Sequence, residues 1–452
     1  MKKISLLVFL ITSSFSFAQI QGYGDLSVKL TNENKLGTAR SMSMKNAFGA
    51  LGGDLSAIAV NPAGTGVFNQ SSASMTLNYS NLDFSNTFYN TTTKSNQENF
   101  LLSQIGAVLV FENDGYSNNE IKKVNFGINY QKVNDYRNNW TSKGLLYSTL
   151  SDDIPETSVY NEVDKQQYDN KSFGTQSELN LSLGMDFDDK LYVGASFNSR
   201  DFEFDEKADR YERSYNAEGD YIDAVENFWH NHQGSGFSLG IGAIFKPVHE
   251  LRLGIAYQSP TWYEIHEESN VDEYNVGYQN FYYSYNDHTY ENDYDNLRIN
   301  DYYLRTPSKL TLSVATVVDK FAVMSIDVVR HDYKGLKLTP YNTYINENEN
   351  FENDLKNTFT FNVGSEFRFD DLSLRGGYSY AQDPYENAIE TDNLQGYALG
   401  LGYNFGNVVL DAAYDYNEQT GYFNYYGDIG GVEGAALNKE KSRFMATLNF
   451  KF

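Results

Sequence analysis

The chain of 452 residues contains no cysteine. That absence excludes disulfide staples, thiol nucleophiles, thiolate metal sites and any lipid attached through a cysteine. Long apolar runs are also missing, since nothing approaches the ~20 consecutive apolar residues that a membrane-spanning helix needs. The mean hydropathy of -0.54 agrees. A helical membrane protein is therefore excluded, but a barrel is not, because only one face of each barrel strand has to be apolar. Positive charge is in short supply: 35 Lys and Arg stand against 60 Asp and Glu, a net charge of -25, so a nucleic-acid partner is not expected. Histidine is scarce too, at six residues. Only His230 and His232 lie close together, and two residues apart in an expected loop is too little for a metal site. No metal and no cofactor is expected. The chain holds neither a Gly-Xaa-Ser-Xaa-Gly elbow nor a phosphate loop, so no enzyme is expected either.

Aromatic residues are abundant, with 37 Tyr and 30 Phe. Both favour strands and membrane interfaces. At the start, Lys2 and Lys3 precede the apolar run Ile4–Ile11, and Ser16-Phe17-Ala18 offers small residues at the positions a signal peptidase reads. A signal peptide over residues 1–18 is expected, cleaved to leave Gln19 at the mature N-terminus. The protein is then exported.

From Ser72 onward one theme repeats: about a dozen residues of alternation, then a break. Val124, Phe126, Ile128 and Tyr130 alternate with Asn125, Gly127, Asn129 and Gln131; Phe237, Leu239, Ile241 and Phe245 alternate with Ser238, Gly240 and Gly242. Fourteen such strands can be read. A soluble sandwich would show the same alternation, so the links must decide. Tight links such as Asp188-Asp189, Asp319, Asp370-Asp371 and Gly406-Asn407 alternate with long ones: Asp135 to Phe173, Phe204 to Gly234, Tyr263 to Thr306, Tyr333 to Lys356 and Glu418 to Lys441. That rhythm belongs to an outer-membrane barrel, with short periplasmic turns, long extracellular loops and an even strand count. The expected fold is all-β, a transmembrane antiparallel β-barrel of 14 strands over residues 70–452. With lipid outside, Ile128→Arg should be costly and Asn129→Arg, into the lumen, cheap. The inward residues are mostly Gly, Ala, Ser and Asn, which would leave a wide lumen unfilled.

Residues 36–68 do not alternate. Gly37, Gly49, Gly52, Gly53, Gly64 and Gly66 punctuate short helical spacings, and Asn61-Pro62 signals a turn. A partly helical hatch over residues 19–69, plugging the lumen, is the expectation. The pattern formed by Ala39, Arg40, Ala47, Phe48, Asp54, Ala57, Asn61, Pro62, Ala63 and Gly64 resembles the N-terminal hatch of the FadL/TodX family of outer-membrane transporters for hydrophobic compounds. One departure is the Lys45-Asn46 pair, where family members often carry Gly-Gly. The resemblance implies a multi-pass protein of the cell outer membrane that takes up long-chain fatty acids or similar hydrophobic molecules passively. Loops capture the ligand, the hatch rearranges, and release is lateral. It also implies ligand-binding or gating roles for Asn61, Pro62, Ala63, Gly64, Arg40 and Asp54.

The stretch from Tyr263 to Thr306 holds Tyr278, Phe281, Tyr282, Tyr283 and Tyr285 among many acids. It reads as an extracellular capture loop of flat rings with polar tips, or as a solvated loop with Tyr at the interface girdle. Its acids would repel an anionic ligand unless Arg298 or Arg305 stands near, and acidic loops could equally share divalent ions with lipopolysaccharide. Two other functions fit the same composition: a PorV-like partner of a secretion system that binds cargo proteins, and a haem receptor using loop Tyr and His as axial ligands.

Overall fold

The computed structural model describes residues 22–33, 36–113, 121–145, 162–270, 281–285, 288–292, 297–319, 321–423 and 434–452, with the backbone alone over 281–285 and 288–292. The expected signal peptide and Tyr278 lie outside the described residues, and the side chains of Phe281, Tyr282, Tyr283 and Tyr285 are likewise not described.

Twenty strand segments follow one another: β1 Ser72–Phe88, β2 Thr91–Glu112, β3 Ile121–Asp135, β4 Asn138–Lys143, β5 Glu162–Phe187, β6 Leu191–Tyr215, β7 Tyr221–Val248, β8 Leu251–Gln258, β9 Trp262–Ser269, β10 Phe281–Tyr285, β11 His288–Asn292, β12 Arg298–Arg305, β13 Lys309–Val318, β14 Ala322–His331, β15 Lys337–Thr339, β16 Thr358–Phe369, β17 Leu372–Ala381, β18 Leu394–Asn404, β19 Val408–Phe423 and β20 Ala435–Lys451. They make a closed antiparallel barrel of fourteen staves. Closure is by β1 against β20, from Ser72↔Lys451 to Thr87↔Ala436. Four staves are built from two segments each: β3 with β4, β8 with β9, β13 with β12, and β14 with β15. The β10–β11 hairpin lies outside the count, pairing with β7.

Period two decides the faces. Phe126 and Ile128 are 42% and 41% exposed, whereas Asn125 and Asn129 are fully buried. The exposed set includes Leu239, Ile241, Val314, Ile326, Leu399 and Leu401, a belt of the kind lipid requires. A one-residue slip would turn that belt into the lumen, so the pattern also specifies the register.

Two expectations need correction. Much of the supposed loops from Asp135 to Phe173, Phe204 to Gly234 and Tyr263 to Thr306 is strand, because β5, β6 and β7 run to 26, 25 and 28 residues and β9, from Tyr263 on, and β10 to β12 fall within the third, with Phe281, Tyr282, Tyr283 and Tyr285 on β10. Strands that project beyond the membrane have water outside and lose the apolar alternation by which strands are recognised. Asn129 is also not a spacious lumen position: its Oδ1 accepts from Gln104 Nε2 at 2.8 Å and its Nδ2 donates to Gln131 Oε1 at 3.3 Å. An arginine there would have to displace this buried network.

The N-terminal segment lies inside the barrel. Helices α1 (Tyr23–Thr31) and α2 (Ala39–Ser43) are followed by 3-10 turns at Ala57–Ala59 and Pro62–Val67. A third helix, α3 (Ile345–Asp354), packs against α1.

Candidate functional site

Residues 36–68 fill the half of the lumen nearer the tight turns. They fit because the facing wall residues are small. A side chain at Gly364 or Gly377 would strike Met44, and one at Gly194 would strike Pro62. Asn61 opens the Pro62–Val67 turn as its N-cap, with Oδ1 accepting from Ala63 N at 3.0 Å, while Nδ2 donates to Gly49 O at 2.7 Å and Ala243 O at 3.3 Å. Pro62 occupies the first position of the following 3-10 turn, where its missing N–H costs nothing. Ala63 and Gly64 are buried in that turn. Asp54 closes the plug on itself, accepting from Thr38 Oγ1 at 2.8 Å and Ser56 N at 2.9 Å. Burial pushes its carboxyl up, against the pull of Arg40 and Thr38.

Charge then fastens plug to wall. Arg40 Nε donates to Glu366 Oε2 at 2.8 Å, and that carboxylate also holds Arg368 and Arg375. Lys45 Nζ donates to Asp415 Oδ1 at 2.6 Å and to Asn417 Oδ1 at 3.0 Å. Burial lowers the Lys45 ammonium, with Asp415 opposing. The pair Lys45 and Asn46 adopts φ of 52° and 57°, the left-handed region that glycine would enter without strain. Further bonds run from Gly49 N to Asp327, from Asn125 to Thr65 O, and from Arg252 to Leu51 O. Arg40, Asp54 and the 61–64 turn thus all reach protein partners. Pro62, with Met42 and Asn46, also lines a polar cavity of about 210 Å³ shared with Gln258, Thr311 and Asn417.

The upper lumen has different chemistry. Leu26, Val28 and Leu30 of α1 are buried among Phe204, Ile265, Leu304, Leu338 and Phe351. Beside them His230 and His232 lie on β7, not in a loop as expected. His230 Nε2 meets Glu206 at 2.9 Å, its Nδ1 meets His232 Nε2 at 3.1 Å, and His232 Nδ1 meets Tyr302 OH at 3.1 Å. All four ring nitrogens are engaged, which leaves none for a haem iron. Among the described residues no group of three or more His, Cys, Asp or Glu is placed to hold a metal.

A second aromatic cluster lies further along β5 and β6, toward β1 and β20. Trp140 of β4 stacks on Phe84 at 5.6 Å and lies 5.4 Å from Tyr168 and 5.5 Å from Phe423. Lys439 is paired in register with Phe84, with its Nζ 5.9 Å from that ring. Lys439 and Lys441 share the inner face of β20, and among the described residues neither has an ion-pair partner. Both were missed at the sequence level. The parity of Phe444, Leu448 and Phe450, extended back along the strand, would have turned them inward.

This cluster borders a seam. β2 pairs with β1 from Thr91 to Val108 but with β3 only from Gln104 to Glu112. Above that point the stave bulges at Val133, between Lys132 and Asn134, and continues as β4, which pairs with β5 alone. Side chains bridge the divide: Asn99 Nδ2 donates to Asp135 Oδ2 at 2.5 Å and Thr93 Oγ1 to Thr141 O, which Asn86 Nδ2 of β1 also reaches at 2.7 Å. The plug touches the seam directly, since Leu36 N donates to Lys132 O at 2.9 Å.

A closed wall of fourteen staves, an N-terminal plug and an interrupted third stave together define the architecture. A Pseudomonas aeruginosa FadL homologue matches over 92% of this chain and 98% of its own, with a TM-score of 0.59 at 17% identity. This is the FadL fold. The same fold is found in the P. putida toluene transporter TodX (92% and 98% covered, TM-score 0.54, 13% identity) and the Ralstonia pickettii toluene transporter TbuX (92% and 98%, 0.51, 15%). A scan against protein-family models and a search of curated proteins by sequence find no match. Within the FadL fold, residues 36–68 occupy the lumen, and the seam lies between the second and third staves.

Proposed function

We propose that this barrel takes up long-chain fatty acids or similar hydrophobic molecules through the outer membrane, passively, and releases them sideways through the wall. The observation that carries this reading is the seam above Gln104 and Gln131, where side-chain contacts replace the main-chain ladder. Such a junction opens without breaking strand hydrogen bonds, and a greasy solute leaving there enters lipid directly. The aromatic surface of Trp140, Phe84 and Tyr168 behind it suits an acyl chain, and Lys439 and Lys441 suit a carboxylate. Entry involves α1, whose apolar contacts a hydrophobic ligand can replace like for like.

Because the chain has no cysteine, the seam can be locked cleanly. In Asn99→Cys/Asp135→Cys, oxidation should abolish uptake of a labelled fatty acid and reduction should restore it. Undiminished uptake in the oxidised protein would reject lateral release at this seam.

A further inference from the structure

On the lipid-facing side the wall carries a cleft of about 640 Å³ that includes Phe237, Trp262, Tyr303, Arg305 and Lys337. Its origin is a break shared by neighbouring staves. β8 stops before Pro260 and β13 begins after Pro307, two residues with no N–H for the ladder. β14 and β15 are likewise separated, by a 3-10 turn at Tyr333–Gly335.

Register places the lining in one outward row. Phe237 is opposite Trp262, Trp262 opposite Arg305, and Arg305 opposite Lys337. All four are exposed, whereas Tyr263, Leu304 and Leu338 beside them face inward and are buried. The row has a definite height. On β7 the outward residues Phe245, Ile241, Leu239 and Phe237 are apolar, and the next two, Ser235 and Gln233, are polar. It therefore sits at the extracellular edge of the apolar belt, where outer-leaflet headgroups begin.

Two cations directly opposite on adjacent strands repel each other. Among the described residues neither Arg305 nor Lys337 has an ion-pair partner, and Lys337 Nζ lies 5.1 Å from the Tyr341 ring. The cleft has one carboxylate, Glu264, one step further out and opposite Tyr303. In a chain of net charge -25 this pair is a local exception.

We propose that the cleft binds a phosphorylated, acylated glycolipid of the outer leaflet, of the lipid A type. Its phosphate lies between Arg305 and Lys337, and an acyl chain lies along Trp262 and Phe237. The phosphate relieves the repulsion within the row, and the rings meet the chain where headgroup gives way to hydrocarbon. This site is separate from the lumen and does not depend on the transport reading.

The test is equilibrium binding of bis-phosphorylated lipid A to the purified mature chain in detergent, with retained lipid counted by native mass spectrometry. Arg305→Gln/Lys337→Gln should weaken binding at least tenfold. Dephosphorylated lipid A should bind the unaltered protein as weakly as that variant does, and the variant should not distinguish the two lipids. Glu264→Gln should tighten binding, which keeps the proposal testable should the double variant fail to fold. Equal binding of both lipids to the unaltered protein, or full affinity in a folded double variant, would overturn the site. Equal affinity for phosphatidylethanolamine, or displacement by millimolar inorganic phosphate, would overturn the glycolipid assignment.

Discussion

The N-terminal segment is held in the barrel by two kinds of contact. Residues 36–68 are fastened by buried ion pairs and directional hydrogen bonds, Lys45 to Asp415, Arg40 to Glu366 and Asn61 to Gly49 O. α1 buries apolar surface, with Leu26, Val28 and Leu30 among aromatic and aliphatic wall residues, and its polar ties lie on its other residues: Tyr23 to Glu267, Asp25 to Tyr385 and Lys29 to Glu206. The difference indicates which part a hydrophobic ligand can move. It can replace non-directional contacts of its own kind, but it has nothing to offer the Glu366 carboxylate or the Asp415–Lys45 pair. On the proposed transport reading, opening starts at α1 while the lower segment stays in place.

Deletions give the largest contrast. Removal of residues 19–65 should leave a folded barrel, because strand closure and the lipid-facing belt do not require the plug. Planar-bilayer recordings should then show steady ion conductance where the full protein conducts poorly. Removal of residues 19–31 alone should leave conductance low and raise binding of an apolar fluorescent probe in the upper lumen. If the shorter deletion conducts as much as the longer one, the division between the two parts is wrong.

Within the wall, the comparison is between lipid and lumen. Ile128→Arg on the lipid face should cost about 2–4 kcal/mol in a lipid-refolding titration. Ser379→Arg faces the cavity near Gln258 and Asn417 and should cost clearly less, since the penalty of a lipid-facing charge does not apply there. Equal costs would mean that the two faces have been assigned wrongly. Seam loading ranks next: the Lys439→Ala/Lys441→Ala variant should lose preference for a fatty acid over the matching alcohol, by several-fold, with hydrocarbon uptake unchanged.

The strands were legible in sequence wherever lipid wets one face, because lipid imposes alternation, as at Val124 to Gln131. They were illegible in β5 to β7 beyond the membrane. There the inward series Glu206, Ala208, Arg210, Glu212 and Ser214 is as polar as its neighbours, so no period of two in hydropathy survives. Small residues in 36–68 foretold a close fit to glycine-rich walls. They could not foretell its fastening: Lys45 and Asp415 are 370 positions apart, and Arg40 and Glu366 are 326 apart. Pro260 and Pro307 were visible, yet two prolines separated by a long segment do not announce that their strands will be neighbours.

The smallest expected effects test the plug's turn at Lys45-Asn46, where both residues have positive φ. Glycine at either position removes backbone strain of roughly 1 kcal/mol. At Asn46 little is lost in exchange, since its Oδ1 accepts one bond, from Ser41 Oγ at 2.8 Å. Asn46→Gly should therefore leave stability within about 0.5 kcal/mol of the parent, because a neutral hydrogen bond contributes about the same as the strain relieved. At Lys45 the exchange is unequal. Lys45→Gly removes a charged donor to Asp415 and Asn417, and hydrogen bonds to charged groups contribute about 1.5–3 kcal/mol. Asp415 keeps Arg443, which limits the loss. A net destabilisation of about 1–2 kcal/mol is expected, read as earlier protease cleavage within residues 36–68 while the barrel itself resists. Were Lys45→Gly to protect the plug as well as Asn46→Gly does, strain would outweigh the ion pair, and polar fastening would not be what sets the lower plug apart from α1.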